Sequence, residues 1–209
     1  MVVELFSSEG CSSCPPADRV LAELDRTGVP GAEVVALELH VDYWNDLGWA
    51  DPFSRASYTE RQGRYGKAFG RRGVYTPQMV VDGQAELVGS DATGARNAIA
   101  AAAARPKTGI TLARMGSLVR IDVPSPPGEA LQLYIAHVER GLATRVLAGE
   151  NSGRTLPHGP VVRELQKLRD LPATTQPFTA DVSAPAGRGL VAFLAEPTSM
   201  KIRGAAQLR

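Results

Sequence analysis

Cys11 and Cys14 are the only cysteines among 209 residues, and they stand two apart in the stretch GCSSCPP. At that spacing two sulfurs can close a small disulfide ring, or two thiolates can hold one metal ion. The alternative is a pair of inert buried thiols. In disulfide exchange the attacking species is a thiolate. A helix beginning close to Cys11 would place that sulfur near unpaired backbone N–H groups, whose partial positive charge stabilises a thiolate. Cys14, one turn further on, is then the resolving thiol. Pro15 and Pro16 lack N–H donors and fit a helix only in its first turn, so the regular helix is expected at or just after Cys14.

The surrounding pattern supplies the elements that position this pair. Met1 to Phe6 reads as a buried strand, and Val20, Leu21 and Leu24 recur at helical spacing before Gly28, Pro30 and Gly31. Val34 to Val41 is a second strand. Ser54 to Phe69 reads as a helix with Ser54 as N-cap. Asp82-Gly83 between two apolar runs signals a hairpin, and Ser90 or Asp91 caps an alanine-rich helix to about Ala104. The first half is thus a βαβ unit followed by a hairpin and a covering helix. After Arg105-Pro106-Lys107 the pattern changes to short alternating strands, near 110–114, 118–123, 131–138 and 190–195. Residues 161–168 fit a helix by periodicity, but Pro160 and the surroundings favour an extended reading. The expected division is a domain over 1–105 and a small, β-rich, sandwich-like module over 106–209.

A formal net charge of +1 and the absence of a basic block give no reason to expect nucleic acid. No apolar run approaches the length of a membrane span. No secretory signal precedes the first strand, so the protein is cytosolic or has lost a targeting segment. There is no P-loop, GxGxxG or Ser/His/Asp arrangement.

In a βαβ unit the carboxyl ends of both parallel strands open on one side. The loop after the second strand should therefore approach the cysteines. It carries His40, Asp42, Tyr43, Trp44 and Trp49. His40 is a structural hydrogen-bonder, a stabiliser of the Cys11 thiolate, or a third metal ligand beside two sulfurs. Trp44, Trp49 and Phe53 either wall a site for a peptide or thiol substrate or cap the core. Asn151, His158 and Arg163 lie in GENSGRTLPHGPVVREL, read most simply as a turn-rich connection and otherwise as a loop packed on the cysteine face. His137 reads as a plain strand residue.

Residues 1 to about 104 resemble a thioredoxin-like domain, on VVELFSSEGCSSCPP and VYTPQMVVDG. More closely, the whole chain resembles a bacterial domain-of-unknown-function family of thioredoxin-like exported proteins. ELFSSEGCSSCPPAD, HVDYWNDLGWADPF, YTPQMVVDG and GENSGRTLPHGPVVREL carry that likeness. The resemblance implies a cis Thr76–Pro77 bond facing the cysteines, with Thr76 pairing substrate backbone. It also implies a carboxylate near the place of Glu4 that shuttles protons to Cys14, and a periplasmic or secreted location with the targeting segment absent from this chain. Otherwise Glu4 is a strand-end glutamate that finds water or a basic partner. The chain departs from ordinary thioredoxin: Gly10, not Trp, precedes Cys11, the central dipeptide is Ser12-Ser13, and an aromatic segment is inserted. These differences favour a dedicated substrate over a general reductase.

The expectation is a thiol–disulfide oxidoreductase acting on a protein or small thiol, with no cofactor beyond a Cys11–Cys14 disulfide. A metal-binding or metal-delivery module using Cys11, Cys14 and His40 is the alternative. An interaction protein on a degenerate redox fold is the third.

Overall fold

The computed structural model describes residues 1–209. The apolar N-terminal run forms strand β1 (Val2–Ser7), and helix α1 (Pro15–Thr27) returns the chain to β2 (Val35–His40), which pairs parallel to β1. Helix α2 (Ala56–Ala68) leads to the hairpin β3 (Gln78–Val81) and β4 (Ala85–Val88), and β3 runs antiparallel to β1. Asp82 and Gly83 both take positive φ, 49° and 63°, as a tight hairpin turn requires. Helix α3 (Ala92–Ala103) follows, with the Asp91 side chain accepting from the Gly94 N–H at its N-cap. Ser54 does not cap α2. Its hydroxyl is bonded to the Asp51 carbonyl and to Asn45, and Arg55 holds the cap position.

The second half is all strand: β5 (Thr111–Met115), β6 (Leu118–Val123), β7 (Leu131–Glu139), β8 (Ala143–Arg145), β9 (Thr155–Pro157), β10 (Val161–Leu171), β11 (Phe178–Ser183), β12 (Gly189–Ala195) and β13 (Ile202–Leu208). The segment after Pro160 is extended, as its surroundings suggest. Four of these strands extend the first sheet into one of eight strands, in the order β13-β12-β7-β10-β2-β1-β3-β4. The two halves are joined where Val161 of β10 pairs with Glu38 of β2. β7 and β12 lie inside this sheet, which accounts for their nearly continuous burial. β11-β6-β5 form a separate three-stranded sheet, and β8-β9 a small ribbon.

Period-two alternation sorts side chains between the sheet's faces. Toward α2, Val2, Phe6, Leu37 and Leu39 join Tyr58, Tyr65, Tyr134, Val138 and Phe193 in one core that spans both halves of the chain. Toward α1 and α3, Val3, Leu5 and Ala36 meet Leu21, Leu24 and Ile99. A third cluster packs the three-stranded sheet onto β7 and β12 through Val119, Ile121, Leu133 and Leu190. No helix is long and apolar enough to cross a membrane.

Candidate functional site

Cys11 and Cys14 are joined by a disulfide with their Cα atoms 5.4 Å apart. The turn that carries them begins with the Cys11 N–H bonded to the Ser8 carbonyl and continues with the Cys14 N–H bonded to the Cys11 carbonyl. Cys14 is the N-cap of α1, with prolines in the first helical positions. The helix therefore starts one turn too late to direct its N–H groups at Cys11. Instead, the Cys11 sulfur meets two hydroxyls. The disulfide sulfur has no proton, so Ser13 Oγ donates to it at 3.2 Å and Thr76 Oγ1 at 3.4 Å. Thr76 Oγ1 in turn accepts from Trp44 Nε1 at 2.9 Å. The Thr76–Pro77 bond is cis, and Pro77 is buried. Thr76, Pro77 and Trp44 are thus brought together with the cysteines. Ser13 belongs with them and was not among the residues the sequence pointed to.

The pair is covered. Both cysteines are fully buried, while Ser12 and Ser13 between them are exposed. The loop between β8 and β9 lies against the backbone of this turn. Asn151, itself buried, donates its amide to the Glu9 carbonyl at 2.8 Å and the Cys11 carbonyl at 3.0 Å. Arg154 donates to its Oδ1 at 2.6 Å and fixes the amide's orientation. Glu150 accepts from the Ser12 N–H at 3.0 Å. The segment GENSGRTLPHG is therefore more than a connection: it packs on the cysteine turn.

Asp42 accepts from the Thr59 hydroxyl of α2, and Tyr43 donates to Gln62, so both tie the aromatic loop to that helix, with the Tyr43 hydroxyl also near Thr76. Trp49 Nε1 donates to Glu9 Oε2 at 2.7 Å. Arg163 lies over the Phe53 ring. His137 is bonded to the Ser183 carbonyl at 3.1 Å, as befits a strand residue. Glu4 points to the α2 face, where Arg61 and Tyr65 bind its carboxylate. The arrangement fits the basic-partner reading of Glu4 rather than a relay to Cys14, because side chains at positions 2, 4 and 6 of β1 all face α2.

On the α1 face there is a second group of buried polar side chains. Asp18, one turn after Cys14, accepts from the Ser7 hydroxyl at 2.6 Å. Burial, and next the negative Glu38, raise its carboxyl to about 8, against the opposing Ser7 hydrogen bond. His40 contacts Asp51 through Nδ1 (2.6 Å) and Glu38 through Nε2 (2.9 Å). Burial opposes its protonation, but these two carboxylates outweigh that and raise it well above the usual histidine value. His158 Nδ1 lies 3.3 Å from Glu38 Oε1, and its Nε2 lies 3.0 Å from Glu9 Oε1. The last contact is close but off the line of a hydrogen bond, so both atoms are buried without an aligned partner. Burial opposes protonation of His158 too, and Glu38 and Glu9 raise it to about 9. Burial pushes Glu38 up, yet His158 and His40 hold it near 2.

These contacts correct the expectation that His40 lies beside the cysteines as a third ligand: its ring is turned to Asp51 and Glu38 on the α1 face. The ligating groups that converge are Glu38, His40 and His158, within 4.8 Å of one another, and neither sulfur is among them. A surface cavity of about 540 Å³ lies elsewhere, beside Lys107 and Arg203, whose charges Asp82 and Glu129 already meet.

The sequence matches the family described as "Protein of unknown function (DUF1223)" over residues 2–194. Among solved structures, the crystal structure of protein AGR_C_4864 from Agrobacterium tumefaciens is similar at 31% identity, with 99% of this chain and 92% of that one covered and a TM-score of 0.82. The hypothetical protein PH1083 from Pyrococcus horikoshii matches at 12% identity over 48% of this chain and 82% of its own, with a TM-score of 0.22 that carries no argument. No functionally curated protein matches.

Proposed function

We propose that this chain, which belongs to the DUF1223 family of proteins of unknown function, is a thiol–disulfide oxidoreductase built on a thioredoxin-like unit over residues 1–105. The observation that carries the reading is the Cys11 sulfur held against Thr76, beside a cis Pro77, at the end of a strand that feeds a helix. The sheet order β2-β1-β3-β4, with α1 and α3 on one face and α2 on the other, supports the same unit.

In the reduced protein, the Ser13 and Thr76 hydroxyls stabilise a Cys11 thiolate by donating to it. That thiolate attacks one sulfur of a substrate disulfide, forming a mixed disulfide and releasing a substrate thiolate that takes a proton from solvent. Cys14, deprotonated, then attacks the Cys11 sulfur. The second substrate thiol leaves, and the Cys11–Cys14 disulfide is formed. The substrate gains two electrons and two protons, and the protein loses them; the reverse sequence oxidises a dithiol. A buried sulfur is not open to attack, so substrate must displace part of the cover made by Trp44 and the β8–β9 loop. Placement in the periplasm or outside the cell belongs to the same reading and rests on the resemblance to exported proteins.

Trapping tests it. Cys14→Ser should accumulate mixed disulfides with partner proteins in the cell of origin, and Cys11→Ser should not. Equal trapping by both, or no reaction of the reduced protein with a disulfide reagent near neutral pH, overturns the reading. The reduction potential of the pair then sets direction: a value near −270 mV suits a reductant and one near −120 mV an oxidant, on the scale of about those known redox proteins.

A further inference from the structure

We propose that Glu38, His40 and His158 form a site for one divalent transition-metal ion of the zinc class, held by Glu38 Oε1, His40 Nε2 and His158 Nδ1. Glu38 and His40 are two apart on β2 and so share its α1 face. His158 stands just before β10, and the pairing of Val161 with Glu38 delivers it to the same place across 120 positions of sequence. Glu38 Oε1 lies 2.9 Å from His40 Nε2 and 3.3 Å from His158 Nδ1. A tetrahedral ion with bonds of about 2.0 Å needs ligand atoms about 3.3 Å apart.

The outer nitrogens fit as well. His40 Nδ1 is hydrogen-bonded to Asp51 Oδ2 at 2.6 Å, and His158 Nε2 lies 3.0 Å from Glu9 Oε1, close but off the line of a hydrogen bond. Metal-binding histidines commonly present the second nitrogen to a carboxylate in this way, which fixes the tautomer and turns the other lone pair toward the ion. The second oxygen of Glu38 is held by the Gly159 N–H, and a Cβ at Gly159 would come within 2.7 Å of that oxygen. A cleft lined by Asp25, Arg140 and Gly159 reaches His158 from the surface. Nitrogen and oxygen ligands without sulfur suit Zn²⁺ rather than Cu(I).

The site does not depend on the thiol chemistry, and the test separates them. The full chain, stripped with a chelator, is titrated with Zn²⁺ by calorimetry and with Co²⁺ by visible absorption. One ion per chain is expected, with the Cys11→Ser/Cys14→Ser double variant binding as wild type does. Glu38→Gln, close in shape, and His158→Gln should each bind at least about tenfold more weakly, and Asp51→Asn, which leaves every ligand in place, about tenfold more weakly. Absence of saturable binding to the folded wild type overturns the proposal, as does binding that survives Glu38→Gln and Asp51→Asn or is lost in the cysteine double variant.

Discussion

Glu4 and Glu38 sit on neighbouring strands, fully buried, on opposite faces of one sheet, and they are handled in opposite ways. Glu4 meets a single cation. Arg61 binds both of its oxygens and lies 5.1–5.3 Å from the centres of the Tyr65, Tyr134 and Phe193 rings. One charge of each sign, walled by aromatic rings, makes a closed unit. Glu38 stands among Asp18, Asp51, Glu9 and two histidines, drawn from α1, β2, the aromatic loop and the segment before β10. That cluster has more carboxylates than rings and two unaligned atoms, and it adjoins the cysteine turn through Glu9 and Asp18. A balanced buried pair serves the fold; a surplus gathered from distant segments is where binding and proton traffic can be sought.

The sharpest way to break this contrast is Arg61→Met, which strands Glu4 without its cation. Unfolding in denaturant should show a loss of about 3–5 kcal/mol, most of it recovered by adding Glu4→Leu. On the other face the response should be to pH. Asp18 keeps its proton in the folded protein up to about 8, whereas unfolded it loses it near the ordinary carboxylate value. Its contribution is therefore complete below about pH 4 and is lost as pH rises toward 8, at up to about 1.4 kcal/mol per pH unit. Asp18→Asn should remove that decline and leave the variant more stable than wild type at pH 8. With no ion bound, the raised histidines give a separate decline above about pH 6.5 that the variant keeps. Thermal melts across pH 4–8 measure both, and identical slopes in the two proteins would remove the distinction between the faces.

Smaller effects test the cover over the sulfurs. Asn151→Ala leaves the buried Glu9 carbonyl without its donor, while the Cys11 carbonyl keeps the Cys14 N–H, so a cost of about 1–3 kcal/mol is expected, with faster reduction of the disulfide by dithiothreitol. Glu150→Ala, at the exposed rim of the same loop, should leave the melting temperature unchanged and speed reduction only slightly. Equal reduction rates in all three proteins would mean that the loop does not limit access.

The strand-helix-strand start, the hairpin at Asp82-Gly83 and the extended segment after Pro160 were all legible, because turn residues and periodicity are local signals. The joining of the halves was not. Nothing in VVREL announces that its first valine will pair with Glu38, since strand pairing is settled by the whole core. The cysteines stood out by motif and spacing, Thr76 and Pro77 only through the thioredoxin-like resemblance, and Trp44 through its place after the second of two parallel strands. Asp18 and Glu38 were missed although each left a trace: a charge on the apolar face of a helix, four residues after Cys14, and a charge amid the buried VALELH. Ser13 left none, because an exposed serine between two cysteines looks like filler until its hydroxyl is seen against the sulfur. The Glu4 expectation rested on the resemblance alone, whereas the alternation of β1 puts Glu4 with Val2 and Phe6 on the α2 face.

The bridge from β10 to β2 also sets an order of events during synthesis. A ribosome delivers the cysteines, α1 and the first two strands long before Asn151 or Val161 exists. Until those residues emerge, β2 is a bare sheet edge and the Cys11–Cys14 turn lacks its cover. The sulfurs are thus open to an oxidant early and shut away late, so the bond can form in the nascent chain and then be closed over by its own C-terminal half.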